Sequence, residues 1–178
     1  LDLYLLSALD GREIRRLARS MRDSRFESFH SFRSGLDWSP DGREIVLVAK
    51  TDNRETLHTL DVVTGEETRT WDLGLDVAAD PAWSPDGSLM AVVGTAHGRT
   101  DLYLVEIDPG AIDRLGVTGV GPPRTLPDGA RMVRLTDDAG DEGAPAWSPD
   151  GRAIAFSFNP LAEVEFTFEV LDDGRRRL

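Results

Sequence analysis

Three apolar runs stand out in an otherwise polar chain: Ile45-Val46-Leu47-Val48-Ala49, Leu89-Met90-Ala91-Val92-Val93 and Ile154-Ala155-Phe156. Continuous apolar runs this short, bounded by turn residues, predict strands covered on both faces. Each is followed by a segment that alternates apolar and polar positions, such as Asp101-Leu102-Tyr103-Leu104-Val105-Glu106-Ile107-Asp108. Alternation of that kind predicts a third strand. A turn such as Thr64-Gly65 or Asp173-Gly174 comes next. Then comes a short segment: Glu67-Thr68-Arg69-Thr70-Trp71, Met132-Val133-Arg134-Leu135 or Arg175-Arg176-Arg177-Leu178. These predict a fourth, exposed strand. No helical period of useful length competes.

One pentapeptide precedes each apolar run. Trp-Ser-Pro-Asp-Gly brings Trp38, Pro40, Asp41 and Gly42, then Trp83, Pro85, Asp86 and Gly87, then Trp147, Pro149, Asp150 and Gly151. The copies lie 45 residues apart from 38 to 83 and 64 apart from 83 to 147. The alternating segments open at Leu57, Leu102 and Phe166, each 19 residues after its Trp. Equal offsets in three copies mark an internal repeat. Within it the Trp ends a first strand and is large and flat enough to fill the space between stacked sheets. Pro presets φ for the turn, Asp bonds back to the backbone, and Gly accepts the positive φ that closes the hairpin.

Four-stranded units at this spacing, stacked face to face around an axis, are the blades of a β-propeller. The predicted fold is all-β: a partial propeller of four-stranded antiparallel blades. The repeat resembles that of TolB-type propellers, and related repeats look like those in the propeller domains of prolyl-oligopeptidase-type and tricorn-type peptidases. The resemblance covers nearly the whole chain from Leu3. It implies a ring of six blades, a periplasmic or other extracytoplasmic setting, and a part in envelope protein assemblies. Leu3-Tyr4-Leu5 and Glu13-Ile14-Arg15-Arg16-Leu17 match the third and fourth strands of a blade whose Trp would precede Leu1. The expected layout is half a blade with its connecting loop over 1–33, then blades over 34–79, 80–143 and 144–178. On that count about half the ring is present, and the expectation is a fragment of a longer chain or a ring completed by partner chains.

Composition narrows the function classes. With 178 residues, 40% hydrophobic and 29% charged, 17 glycines and 10 prolines, the chain is globular and rich in turns. A formal net charge of −12 repels phosphates and so excludes general nucleic-acid or anionic-membrane binding. No run approaches the ~18 apolar residues of a membrane span, and no signal-peptide pattern is present at Leu1-Asp2-Leu3-Tyr4. Cysteine is absent, so neither disulfides nor Cys-based metal sites are possible.

Candidate chemistry is sparse. The Ser and Asp of the pentapeptide recur three times where a catalytic pair is needed once, so they read as turn residues. His30, His58 and His97 fall in different units without metal-ligand spacing, and His58 takes the slot of Tyr103 one unit later. No nucleophile elbow, zinc-binding His-Glu-x-x-His or phosphate loop occurs. No residue is therefore assigned as catalytic, cofactor-binding or metal-ligating. Three loops remain. The acidic connection Asp137-Asp138-Ala139-Gly140-Asp141-Glu142-Gly143 carries oxygen ligands of the kind calcium takes, without EF-hand spacing, and the solvated reading is preferred. The connection over 19–33 combines Arg22, Arg25 and Arg33 with Phe26 and Phe29, residue types enriched at protein interfaces, and is the candidate contact segment, although the reading in which the Phe residues tuck under the loop and the arginines face water is preferred. The insertion over 109–130 is expected to project as a Pro- and Gly-rich surface loop, carrying specificity or none. The resulting functional expectation is a non-catalytic scaffold that binds a protein or peptide. The alternative is the substrate-gating propeller of a larger serine peptidase.

Overall fold

The structure is a computed structural model that describes residues 2–19, 35–51, 54–160, 169–170 and 176–177. Strands β1 (Asp2–Leu6) and β2 (Glu13–Arg19) form an antiparallel pair. Strands β3 (Leu36–Trp38), β4 (Glu44–Thr51), β5 (Arg54–Asp61) and β6 (Glu67–Trp71) form a four-stranded meander in that order. A third sheet holds β7 (Val77–Trp83), β8 (Leu89–Ala96) and β9 (Arg99–Glu106), then a one-turn helix α1 (Ala111–Arg114), β10 (Arg124–Thr125) and β11 (Arg131–Arg134). Strand β12 (Gly140–Trp147) pairs with β13 (Ile154–Pro160), and β14 (Glu169–Val170) with β15 (Arg176–Arg177).

The sheets stack with their first strands together. Strand β3 packs on β7, and β7 on β12, whereas the last strands β6 and β11 form no comparable contact. Antiparallel meanders that converge on their first strands make a partial propeller, in agreement with the predicted fold.

Strand β8 shows why the central runs are apolar throughout. Met90 and Val92 face the layer shared with the second sheet, where they meet Val46, Val48, Leu57 and Trp71. Leu89, Ala91 and Val93 face the layer shared with β12 and β13, beside Leu102, Leu104 and Val133. Successive side chains of a strand point to opposite faces, so a strand between two neighbours is apolar at every position.

The alternating segments are strands, and stacking covers them more fully than their polar positions suggest. Strand β5 is buried on both faces from Thr56 to Leu60, and β9 from Asp101 to Glu106. Their polar positions are not solvated but partnered. Thr59 shares a 2.7 Å hydrogen bond with Thr68, Asp101 pairs with Arg134 at 2.8 Å, and Glu106 accepts the Ile112 amide at 3.0 Å. Sheet stacking covers both faces, and hydrogen bonds satisfy what it covers. The fourth strand of the third sheet is likewise not exposed: Met132 and Val133 are buried.

The reason is the insertion, which folds back instead of projecting. Strand β10 pairs with β11 and turns the expected four-stranded unit into a five-stranded sheet. Its two arms enter different layers. Leu126 and Ala130 join the apolar layer against the second sheet, while Ala111 and Ile112 join the one against β12 and β13. Polar contacts fasten it further, with Arg124 donating to the Leu73 carbonyl and Arg131 pairing with Asp113 at 2.6 Å.

Candidate functional site

The three Trp-Ser-Pro-Asp-Gly turns share one geometry. Ser39 Oγ donates to Asp41 at 2.7 Å and accepts the Glu44 amide at 2.9 Å, while the Gly42 amide reaches Ser39 O at 2.8 Å. The same bonds recur from Ser84 to Asp86 at 2.7 Å and from Ser148 to Asp150 at 2.6 Å. Gly42, Gly87 and Gly151 have φ of +70°, +75° and +68°, the region that favours glycine. The Ser hydroxyl, then a backbone amide, holds each of Asp41, Asp86 and Asp150 below the usual carboxylate range. In each turn the Ser hydroxyl and the Asp Oδ1 are engaged in closing the reversal.

The indoles differ with their surroundings. Trp83 is 8% exposed in the layer between the second and third sheets. Trp147 packs against the third sheet and donates Nε1 to Ala82 O at 3.0 Å. Trp38 is 43% exposed, because the β1–β2 pair does not cover it.

A less obvious repeat stands three residues before each Trp, at Gly35, Asp80 and Ala144. Asp80 Oδ1 accepts the Gly35 amide at 3.2 Å, and its Oδ2 accepts the Ala144 amide at 3.1 Å. One carboxylate thereby ties three consecutive sheets. Asp80 and Ala144 have φ of 47° and 48°, at irregularities in β7 and β12 that each precede a proline. Proline has no amide to offer the ladder, so its place at the bulge gives up no ladder bond. Gly35 is required by proximity: a Cβ there would lie 3.0 Å from Asp80 Oδ1 and 3.1 Å from its Cα. Asp37 adds a further tie by accepting the Trp83 amide at 2.8 Å.

These first strands line a concavity of about 470 Å³ shared by three sheets. Small residues, Gly35, Ala82, Ala144 and Ala146, keep its floor open between Leu36, Asp37 and Asp80. A second cleft, of about 430 Å³, lies between the third sheet and the β12–β13 pair. Glu142 lines it, 6% exposed, and neither of its carboxylate oxygens has a hydrogen-bond partner among the described residues. Burial pushes its carboxyl above the usual range. The charges of Asp101 and Asp138 act the same way, with the nearby Thr136 hydroxyl and its own amide opposing.

Among the described residues, those singled out in the sequence are not brought together. Arg22, Arg25, Phe26, Phe29 and Arg33, with His30, lie outside the described residues. In the acidic loop, Asp137 pairs with Arg99 at 2.8 Å and with Arg134, while Glu142 turns into its cleft. No cluster of three or more potential metal ligands occurs among the described residues. His58 sits 2.9 Å from Glu67 and 2.7 Å from Thr56, an arrangement with the outline of a catalytic triad. With Thr56 6% and His58 2% exposed, it is a buried network within one sheet. His97 occupies the β8–β9 turn at φ 53°. Sequence reasoning missed Asp80, and saw Glu142 only as one carboxylate of the acidic connection. Position relative to Trp83 could have shown that Asp80 is equivalent to Gly35 and Ala144, but not that it reaches them.

Stacked meanders, converging first strands and indoles wedged between sheets define a partial β-propeller. No protein-family profile matches the sequence, and no curated protein does. Among solved structures, one assigned to TolB of Agrobacterium tumefaciens superposes with a TM-score of 0.63 at 23% identity, over 93% of this chain and 48% of that one. TolB of Acinetobacter baumannii aligns at 20% identity over 73% of this chain and 39% of that one, with a TM-score of 0.35. The fold is that of a TolB-type propeller, and the chain spans about half the length of the structure it matches.

Proposed function

We propose that the chain is a non-catalytic propeller scaffold that binds a protein or peptide segment on the concavity of its first strands. The observation that carries this reading is a set of small residues three and one positions before the indoles, Gly35, Ala82, Ala144 and Ala146, interrupted by Asp80 and Asp37. Gly35, Ala144 and Ala146 leave strand backbone accessible beside the exposed Leu36. A surface that spans three sheets suits an extended partner lying across their first strands. The likeness to TolB-type propellers supports an extracytoplasmic setting for this role.

The test is capture of a partner from envelope extracts by the immobilised chain, compared with a Leu36→Glu/Ala146→Glu variant. The expected result is a protein retained by the native surface and released by the variant, with the melting temperature unchanged. Equal capture by both would end the reading. A separate Arg22→Ala/Arg25→Ala/Phe29→Ala variant reports whether the 19–33 connection contributes to the same partner.

A further inference from the structure

We propose that the cleft between the third sheet and the β12–β13 pair binds a monovalent organic cation on an aliphatic stem, the end of a lysine or arginine side chain, with Glu142 as its counter-ion. The first support is the carboxylate itself. Glu142 is 6% exposed and neither of its oxygens has a hydrogen-bond partner of ordinary geometry among the described residues, the Thr136 hydroxyl and its own amide standing near it without offsetting its burial. A buried charge in that condition is strongly unfavourable unless something neutralises it. Among the described residues no cation is paired with it: the terminal nitrogens of the arginines in this part of the fold go to other carboxylates, although the Nε of Arg134 has no partner. Arg134 pairs with Asp101 at 2.8 Å and also with Asp137, and Arg99 pairs with Asp137 at 2.8 Å.

The cleft also has the right walls and size. About 430 Å³ is bounded by Val77, Val93 and Phe158 on the apolar side, and by Thr95, Thr100 and Ser157 on the polar side. An aliphatic stem would rest against the first group while an ammonium or guanidinium donates to the second and to Glu142. A divalent metal fits less well. Asp80 and Asp141 also line the cleft, but Asp80 is already taken by two backbone amides. No group of three potential ligands exists among the described residues, and hard divalent cations take six or more oxygens.

This deepens the peptide-binding reading and rests on it only for the source of the cation, so small ligands test the cleft by itself. The 178-residue chain is titrated calorimetrically with N-acetyl-lysine amide, N-acetyl-arginine amide, the neutral isostere N-acetyl-norleucine amide, and calcium chloride. Saturable binding of a basic ligand is expected, weakened about thirtyfold or more by Glu142→Gln, the loss typical of removing one partner of a buried charge pair. The neutral isostere should bind far more weakly. Because Glu142→Gln keeps the side-chain shape, its melting curve verifies that the variant is folded. NMR of the Glu142 side-chain carboxyl gives an independent readout, with its ionisation moving to lower pH on addition of the basic ligand. Equal affinity for the neutral isostere, equal affinity of the variant, tighter binding of calcium than of either basic ligand, or no saturable binding would each overturn the proposal. Partner capture by the Leu36 and Ala146 surface is unaffected by any of these outcomes.

Discussion

The indole Nε1 of Trp147 donates to the carbonyl of Ala82, 3.0 Å away, one residue before the preceding indole at Trp83. The bond crosses from one sheet to the next and ties the end of β12 to the end of β7. Trp147→Phe keeps an aromatic wedge but removes the donor. A loss of about 1–2 kcal/mol is expected, combining the missing bond and the smaller ring. Urea denaturation followed by circular dichroism checks it. A midpoint identical to the parent would show that the bond contributes nothing.

Asp80 joins three sheets through the amides of Gly35 and Ala144. Asp80→Ala removes both acceptors and puts alanine at a positive φ, so about 2–4 kcal/mol of destabilisation is expected. Asp80→Asn retains one carbonyl oxygen and a residue that tolerates left-handed backbone, and should be milder. The order of the two unfolding midpoints is the decisive measurement.

The inserted segment yields a graded pair. Leu126 is 4% exposed against the second sheet, whereas Val120 is 42% exposed on the same insertion. Leu126→Ala should destabilise by about 2–4 kcal/mol and Val120→Ala by less than about 0.5 kcal/mol. Thermal melts that rank them the other way would mean the segment is only loosely attached.

At Asp86 the Ser84 hydroxyl, then the Ser88 amide, favours the ionised form and lowers the folded-state pKa. The associated stability is present above the unfolded-state value, about 3.9, and is lost as pH falls through the lower folded value. Asp86→Asn should therefore show a shallower decline in melting temperature below about pH 4. Identical acid limbs would contradict this.

Glu142 has the opposite sign. Its raised folded-state pKa means that the ionised form is penalised in the folded protein, fully so above that value. The penalty fades as pH falls towards the unfolded-state value, about 4.3. Asp101 and Asp138 reinforce it, while Arg134 is held by Asp101 and Asp137. In the absence of ligand, Glu142→Gln should raise the melting temperature at pH 7 and converge on the parent near pH 4. A lower melting temperature at pH 7 would show that the carboxylate is satisfied after all.

The stacked strands were legible because their cause is local. A Trp, a Ser-Pro-Asp-Gly turn and an apolar run specify a strand, a reversal and a buried strand within about fifteen residues. What sequence reading missed depends on sheets meeting each other. Asp101 and Glu106 look like solvent-facing positions of an alternating strand, but a neighbouring strand and the inserted helix cover them. Asp80 is one aspartate among many until Gly35 and Ala144 are brought to either side of it. Glu142 sits in an acidic stretch whose composition suggests a solvated loop, and only the register of β12 against β13 turns it inward. The insertion reads as flexible from its glycines and prolines, yet Ile112 and Leu126 were enough to anchor both ends.

That anchoring bears on how the molecule assembles. Units of similar sequence are prone to domain swapping and pairing with the wrong neighbour while folding. Among the described residues, the third sheet alone carries a peg that enters the layers on both of its sides, through Ile112 on one and Leu126 on the other. It cannot exchange places with the second sheet without leaving one seam overfilled and another empty. The irregular segment thus works as a key that makes one order of stacking unique among otherwise interchangeable parts.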